Sequence, residues 1–288
     1  MKLESTNAHL LFATTRIEVT KSDGSTATGT GFICNYVGKD DSNYLFIVTN
    51  KHVIADSTKG KMFFTRADSD NPETHNPILG KPIVIEPANF AAEWFYHVDD
   101  RIDIAVFPFG PILQESYAQG RDWIFYKAIR LEWIPNETQL NEIDPISDVI
   151  FIGYPNGIYD KKNLLPIVRK GITATPFEVD FEGLPVFLID ASVFPGSSGS
   201  PVFIRDDVLR YDNDGSFKLD GRIFLLGIVA EVCLRIDQNQ IKWVNIPTAQ
   251  VPIVETRQMI DLGIVYKSVE IKRAIEDFIA SLPPEGTP

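Results

Sequence analysis

Short apolar runs rich in Val, Ile, Phe and Thr recur along the chain and are separated by polar turn-forming residues. Runs of this kind, with glycine, aspartate and asparagine between them, are typical of β-strands joined by tight turns. The pattern predicts strands at 9–20, 28–36, 44–50, 82–86 and 103–109, then at 149–153, 167–175, 186–193, 201–204, 223–234 and 242–246. Because no helices alternate with these strands, we expect a barrel or sandwich rather than a parallel α/β sheet.

The segments between and after the strands suggest how the chain is organised. Polar stretches at 66–77 and 205–221 predict an exposed loop and an exposed hairpin. Residues 111–147 lack a clean period and are expected to cross between two β-barrels. Apolar residues three to four apart predict an amphipathic helix over 267–281. The expected parts are an N-terminal barrel at 1–120, a crossover at 121–147, a C-terminal barrel at 148–250 and a segment with a helix at 251–288.

Composition narrows the class of protein. The chain has 288 residues, of which 44% are hydrophobic and 23% charged, as in an ordinary globular protein with a sizeable core. Its net charge is 27 − 39 = −12, which argues against nucleic acid as a partner. No signal peptide or membrane-spanning run is recognisable, so a cytoplasmic location without membrane contact is expected. Cys34 and Cys233 lie in apolar segments and are expected to be buried free thiols.

A loop of small residues at 195–201, PGSSGSP, is the first candidate for chemistry. Small side chains let the backbone approach a bound carbonyl group closely. The amides of Gly196 and Ser198 have the spacing of an oxyanion hole. Ser197, Ser198 and Ser200 are all candidate nucleophiles, and Ser198 is preferred because a glycine lies two residues before it and another directly after it. A glycine–serine turn without chemistry is the alternative.

An activated serine needs an imidazole to accept its proton and a carboxylate to orient that imidazole. His52 is the preferred base because it follows the apolar run 45–49, which predicts a rigid frame. His9, His75 and His97 lie in less regular segments. A structural histidine is the alternative at position 52.

Asp103 interrupts the apolar run 102–107, where an unpaired carboxylate would be costly to bury. A hydrogen bond to an imidazole would satisfy it, and an edge-strand aspartate facing water is the alternative. The chain order His, Asp, Ser excludes α/β-hydrolases, in which the histidine comes last. Neither cysteine lies on a glycine-rich loop, so a thiol nucleophile is not expected. No zinc-binding motif occurs, and neither a metal nor another cofactor is expected.

The three motifs resemble those of trypsin-like serine proteases, and most closely those of the HtrA/Deg branch. FIVTNKHVI around His52, DIAVFPF around Asp103 and DASVFPGSSGSPVF around Ser198 are similar to its histidine, aspartate and nucleophile motifs. DVIFIGYPNG at 148–157 and LLGIVAEV at 225–232 are similar to strands of its second barrel. The resemblance implies an all-β chymotrypsin-like fold of two perpendicular six-stranded barrels, here with a C-terminal α-helix and without a PDZ domain.

One position departs from the HtrA pattern, since Ser200 stands where those enzymes usually carry glycine; glutamyl endopeptidases also have serine there. The resemblance implies that Ser192 lies near the floor of the primary pocket and that Ala230, Glu231 and Val232 belong to the strand that binds substrate. Val232 stands where relatives with a wide pocket carry glycine, so its side chain should narrow the pocket. Together with the neutral Ser192, this predicts a small or aliphatic residue on the acyl side of the cut bond.

The expected function is that of a serine endopeptidase acting on a polypeptide substrate through an acyl-enzyme. No activation site of the Ile-Val-Gly-Gly type is recognisable, so a regulatory protein partner, oligomerisation or loop ordering is the expected means of control. The sequence leaves the oligomeric state open. A protease-fold scaffold without turnover is the alternative from another class, and an esterase or acyltransferase on the same scaffold is a third.

Overall fold

The computed structural model describes the backbone of residue 3 and of residues 5–38, 41–71, 74–118, 123–211, 217–240 and 253–283. The side chains of residues 156, 206–211, 217–221, 231–240 and 253–260 lie outside that description.

The first half of the described chain forms one nine-stranded sheet. Its elements are α1 (Thr6–Leu10), β1 (Thr14–Lys21), β2 (Thr26–Val37), β3 (Asn43–Thr49), α2 (Lys51–Ile54), β4 (Ser57–Ala67), β5 (Pro77–Ile85), β6 (Phe95–Tyr96), β7 (Ala105–Pro108), α3 (Gly110–Ala118), β8 (Ile124–Phe125) and β9 (Ile129–Arg130). The spatial order is β5-β4-β1-β2-β3-β7-β6, with β8 beside β4 and β9 beside β2. α4 (Glu137–Leu140) leads out of this sheet.

The second half forms a closed barrel in the order β10-β11-β12-β15-β14-β13. Its strands are β10 (Asp148–Gly153), β11 (Ile167–Thr173), β12 (Val186–Asp190), β13 (Pro201–Tyr211), β14 (Phe217–Gln240) and β15 (Ile253–Lys267). α5 (Ser268–Ser281) follows directly. Single 3-10 turns lie at Phe90–Glu93, Leu131–Trp133, Pro155–Gly157 and Phe181–Gly183.

The predicted all-β class, the six-stranded second barrel and the C-terminal helix are confirmed. The first unit differs in having nine strands rather than six, because the two-residue strands β6, β8 and β9 also join its sheet. The predicted end of the second barrel at 250 is wrong, since β15 closes the barrel. The strand predicted at 242–246 lies outside the described residues.

The segment 111–147, expected to be an irregular crossover, contains α3, β8, β9 and α4. α4 forms because Asn136 and Gln139 make a reciprocal capping box at its start. Cys34 is a buried free thiol, as predicted, and burial raises its pKa. The side chain of Cys233 lies outside the described residues.

A shared hydrophobic cluster holds the two halves together. It contains Phe32 and Phe46 from the first sheet, Phe203 and Leu225 from the barrel, and Ile275 from α5, all 2% exposed or less. Burial of apolar surface across this junction stabilises the halves against each other. Among the described residues, no helix is long and apolar enough to cross a membrane.

Candidate active site

His52 lies on α2, a single helical turn that follows β3 directly. Val53 and Ile54 are buried and anchor the turn in the core, whereas the His52 side chain is 50% exposed. The ammonium group of Lys21 closes the end of the turn by donating to the carbonyl groups of His52 at 3.2 Å and Val53 at 3.3 Å, and to that of Ala55. Carbonyls at the end of a helix lack partners within the helix, so Lys21 fixes the backbone that carries His52.

Both carboxylate oxygens of Asp103 contact His52. Oδ2 lies 2.5 Å from His52 Nδ1, and Oδ1 accepts the His52 backbone N–H at 3.0 Å. The Asn50 side chain donates to the Asp103 carbonyl at 2.6 Å, and Ile102 and Ile104 are buried on either side of the aspartate. A proton held on Nδ1 by this carboxylate leaves Nε2 free to accept another. The structure therefore brings together the predicted base and its orienting acid.

The loop between β12 and β13 presents Ser198. Gly196 and Gly199 have φ values of +87° and +88°, which side chains disfavour. Ser197 and Ser200 are fully buried, so Ser198 is the one accessible serine among the three candidates. Neither the Gly196 nor the Ser198 amide donates a hydrogen bond to any described residue, which leaves both available to an oxyanion.

The Ser198 hydroxyl donates to the carbonyl of Ala230 at 2.8 Å. None of the described hydrogen bonds joins it to His52. In this structure the Ser198 hydroxyl is thus bound by a backbone carbonyl.

Thr30 on β2 connects the first sheet to the loop that carries Ser198. Its N–H donates to the Ser198 carbonyl at 2.9 Å, and its hydroxyl donates to the Gly196 carbonyl at 3.2 Å. Thr49 donates to the Thr30 carbonyl at 2.7 Å. Sequence reasoning missed Thr30, because a threonine on a strand gives no local signal of a contact 166 residues away.

The sequence model of the trypsin-like peptidase domain family matches residues 29–209. The chain belongs to that family. The matched segment covers more than half of the chain and contains His52, Asp103 and Ser198. No curated protein sequence matches this peptidase domain.

Solved structures similar to this trypsin-like peptidase domain include the HtrA-type protease AlgW with tripeptide, at 16% identity and TM-score 0.46, covering 95% of this chain and 61% of that one. The chain thus spans less than two thirds of the length of AlgW. Others are the Rv3671c protease of M. tuberculosis in its active form, at 16% identity, TM-score 0.45 and coverage of 97% and 86%, and the scabies mite inactivated protease paralogue S-I1, at 15% identity, TM-score 0.45 and coverage of 94% and 96%.

The predicted substrate-binding residues of this peptidase domain fall on two segments. Ser192 is exposed, and its carbonyl accepts from Arg169 at 2.7 Å. Ala230 is 3% exposed and lies at a shift of register between β14 and β15. Glu231 pairs with Ile264, and Val232 pairs with Gly263, but both of their side chains lie outside the described residues.

The remaining histidines of the peptidase domain have structural partners. His75 is buried against Phe125, with ring centres 4.8 Å apart, and burial lowers its pKa. His97 is also buried, and its Nε2 lies 3.0 Å from Glu270 Oε2 on α5. His75 and His97 were expected in polar or irregular stretches, and their burial shows that they pack as core residues.

Proposed function

We propose that the chain is a serine endopeptidase that cuts polypeptides through an acyl-enzyme. Ser198 Oγ attacks the carbonyl carbon while His52 Nε2 accepts the hydroxyl proton, and Asp103 stabilises the imidazolium that forms. His52 then gives that proton to the leaving amine. Water, activated by the same imidazole, attacks the acyl carbon and releases Ser198. The observation that carries the proposal is the contact of both Asp103 oxygens with His52.

The amides of Gly196 and Ser198 are proposed to hold the oxyanion of the tetrahedral intermediate. Both lack a partner among the described residues, and the left-handed φ of Gly196 is a conformation that glycine adopts readily. Fixed backbone donors of this kind stabilise the transition state because they need no reorganisation as charge develops.

We further propose a small or aliphatic residue on the acyl side of the cut bond. Ser192 offers no charge to a substrate side chain, and by the resemblance a valine at position 232 narrows the pocket. A peptide library should therefore give cleavage after Ala or Val. A profile dominated by Arg, Lys or Glu would contradict this specificity.

Hydrolysis of an unfolded protein tests the proposed function directly. The wild-type chain should release peptides, and Ser198→Ala should release none above background. Ser22→Ala, which removes an exposed serine in a turn, is the matched control and should keep the wild-type rate. Hydrolysis of small activated esters without any cleavage of proteins would support an esterase instead.

A protease-fold scaffold without turnover is the second candidate, and one observation favours it. The Ser198 hydroxyl points to the Ala230 carbonyl rather than to His52. If this contact persists when substrate binds, the serine stays unactivated. A folded wild-type chain that binds peptides without cutting them would support the scaffold.

A further inference from the structure

Arg169 points into the second barrel. Along β11 the more buried positions alternate with exposed ones, so Lys170 faces water while Arg169 lies on the inner side with Phe151. The guanidinium carbon of Arg169 lies 4.3 Å from the centre of the Phe151 ring. Burying a cation at such a position costs free energy unless hydrogen-bond acceptors bind it.

The loop that carries Ser198 binds the Arg169 guanidinium. Arg169 Nη1 donates to the Ser192 carbonyl at 2.7 Å, and Nη2 donates to Ser197 Oγ at 2.6 Å. Ser197 in turn accepts the Phe194 N–H at 3.3 Å and donates its own N–H to the Phe194 carbonyl at 2.9 Å. One planar group thus ties the start of the loop to the residue that precedes the nucleophile.

No carboxylate balances this charge among the residues whose side chains are described. Burial alone lowers the pKa of Arg169 to about 10, and its Nε has no described partner. Among the described side chains, the guanidinium is therefore held by the loop and by an aromatic face, and not by an ion pair. A structural role in the barrel would be met equally well by an apolar side chain.

We propose that Arg169 is a positioning residue that holds segment 192–197, and with it the Gly196 and Ser198 amides, in the shape required for oxyanion binding; this inference rests on the proposed function. A loop without this tie has to be ordered anew each time a substrate reacts, and that ordering raises the barrier to catalysis.

Two substitutions of Arg169 distinguish a role in positioning the loop from a role in the folding of the chain. Arg169→Met keeps an unbranched side chain over Phe151 and removes a charge that no described carboxylate balances, so the thermal midpoint should stay near that of the wild type. Arg169→Lys keeps the charge, but an ammonium group lacks the planar fork that reaches both acceptors, so it should rescue activity only in part. Lys170→Met is the matched control, because it makes the same charge change on the outer side of β11, where Lys170 pairs with Asp148 at the surface.

The experiment measures peptide hydrolysis and amide hydrogen exchange over residues 192–200 in all four proteins. Arg169→Met should lower kcat about tenfold or more and change KM by less than about twofold, because the lost interaction acts mainly in the transition state. Exchange in the loop should become faster in Arg169→Met and stay unchanged in Lys170→Met.

The outcomes distinguish this inference from the proposed function. Wild-type kcat and wild-type loop exchange in Arg169→Met would overturn the positioning role while leaving the endopeptidase intact. Equal losses of stability and activity in both Arg169 variants would also overturn it in favour of a purely structural arginine. Faster loop exchange in Arg169→Met, with a wild-type chain that cuts no peptide, would keep the role of Arg169 in holding the loop and overturn the proposed function.

Discussion

Gly199 occupies a position that admits no side chain. A Cβ built there would lie 1.7 Å from the Thr30 carbonyl oxygen, and the φ of +88° is itself strained for any other residue. This close approach is what lets the loop after Ser198 turn back against β2. Glycine is required here mainly because a Cβ would collide with the Thr30 backbone, and secondly because of the positive φ.

Gly199→Ala should therefore destabilise the chain by about 3 kcal/mol or more, since overpacking and backbone strain add. Gly24→Ala is the control that separates the two causes. Gly24 has a similar φ of +83°, but no atom lies within 4 Å of its Cβ position. Gly24→Ala should lower the free energy of unfolding by only about 1–2 kcal/mol. Urea denaturation followed by tryptophan fluorescence measures both, and equal losses would contradict the steric explanation.

Asp103→Asn should lower kcat by about 10³- to 10⁴-fold without unfolding the chain. The His52 backbone N–H needs an acceptor where Oδ1 now lies, so the amide oxygen should take that place and turn the NH₂ group toward Nδ1. Nδ1 then becomes an acceptor, the imidazole proton moves to Nε2, and the base is blocked. Asp100→Asn changes an exposed neighbouring carboxylate and should keep wild-type kcat. Similar rates for the two variants would contradict this account of Asp103.

At the scale of elements, α5 connects the end of the chain to the segment that carries Asp103. Its buried side packs into the cluster that contains Ile102 and Ile104. Glu270 on α5 reaches the buried His97, whose Nδ1 accepts the Asp99 N–H at 3.0 Å. The helix therefore packs against the segment that carries Asp103.

Ile275→Ala should cost about 2–5 kcal/mol, because Ile275 is fully buried in that cluster and the substitution leaves a cavity. Lys272→Ala on the exposed side of α5 is the control and should stay within about 0.5 kcal/mol of the wild type. Chemical denaturation compares them. A stable Ile275→Ala variant would mean that the helix is not needed to hold the first sheet.

The elements that the sequence predicted best are those with an uninterrupted period, such as α5 and β3. β4 was missed because lysines and a glycine break its apolar run, STKGKMFFTRA, although its alternate residues are buried. β15 was missed because polar residues precede its apolar end. Both segments form strands because they pair with neighbouring strands, although their local sequence pattern is weak.

At the scale of the whole molecule, the candidate site lies where the two halves meet. His52 and Asp103 come from the first sheet and Ser198 from the barrel, and Thr30 bonds across the junction to the Ser198 loop. The three motifs were readable because each departs from its apolar surroundings. Thr30 and Arg169 were not, since their partners depend on packing between segments far apart in the chain. The catalytic roles of the motif residues stay predictions.

Labelling by a fluorophosphonate probe tests the central claim most directly, because the probe reacts covalently with an activated serine and with little else. The account predicts that the wild-type chain is labelled on Ser198 and that Ser198→Ala and His52→Ala are not labelled. Labelling that persists in Ser198→Ala, or a folded wild-type chain that stays unlabelled, would contradict it.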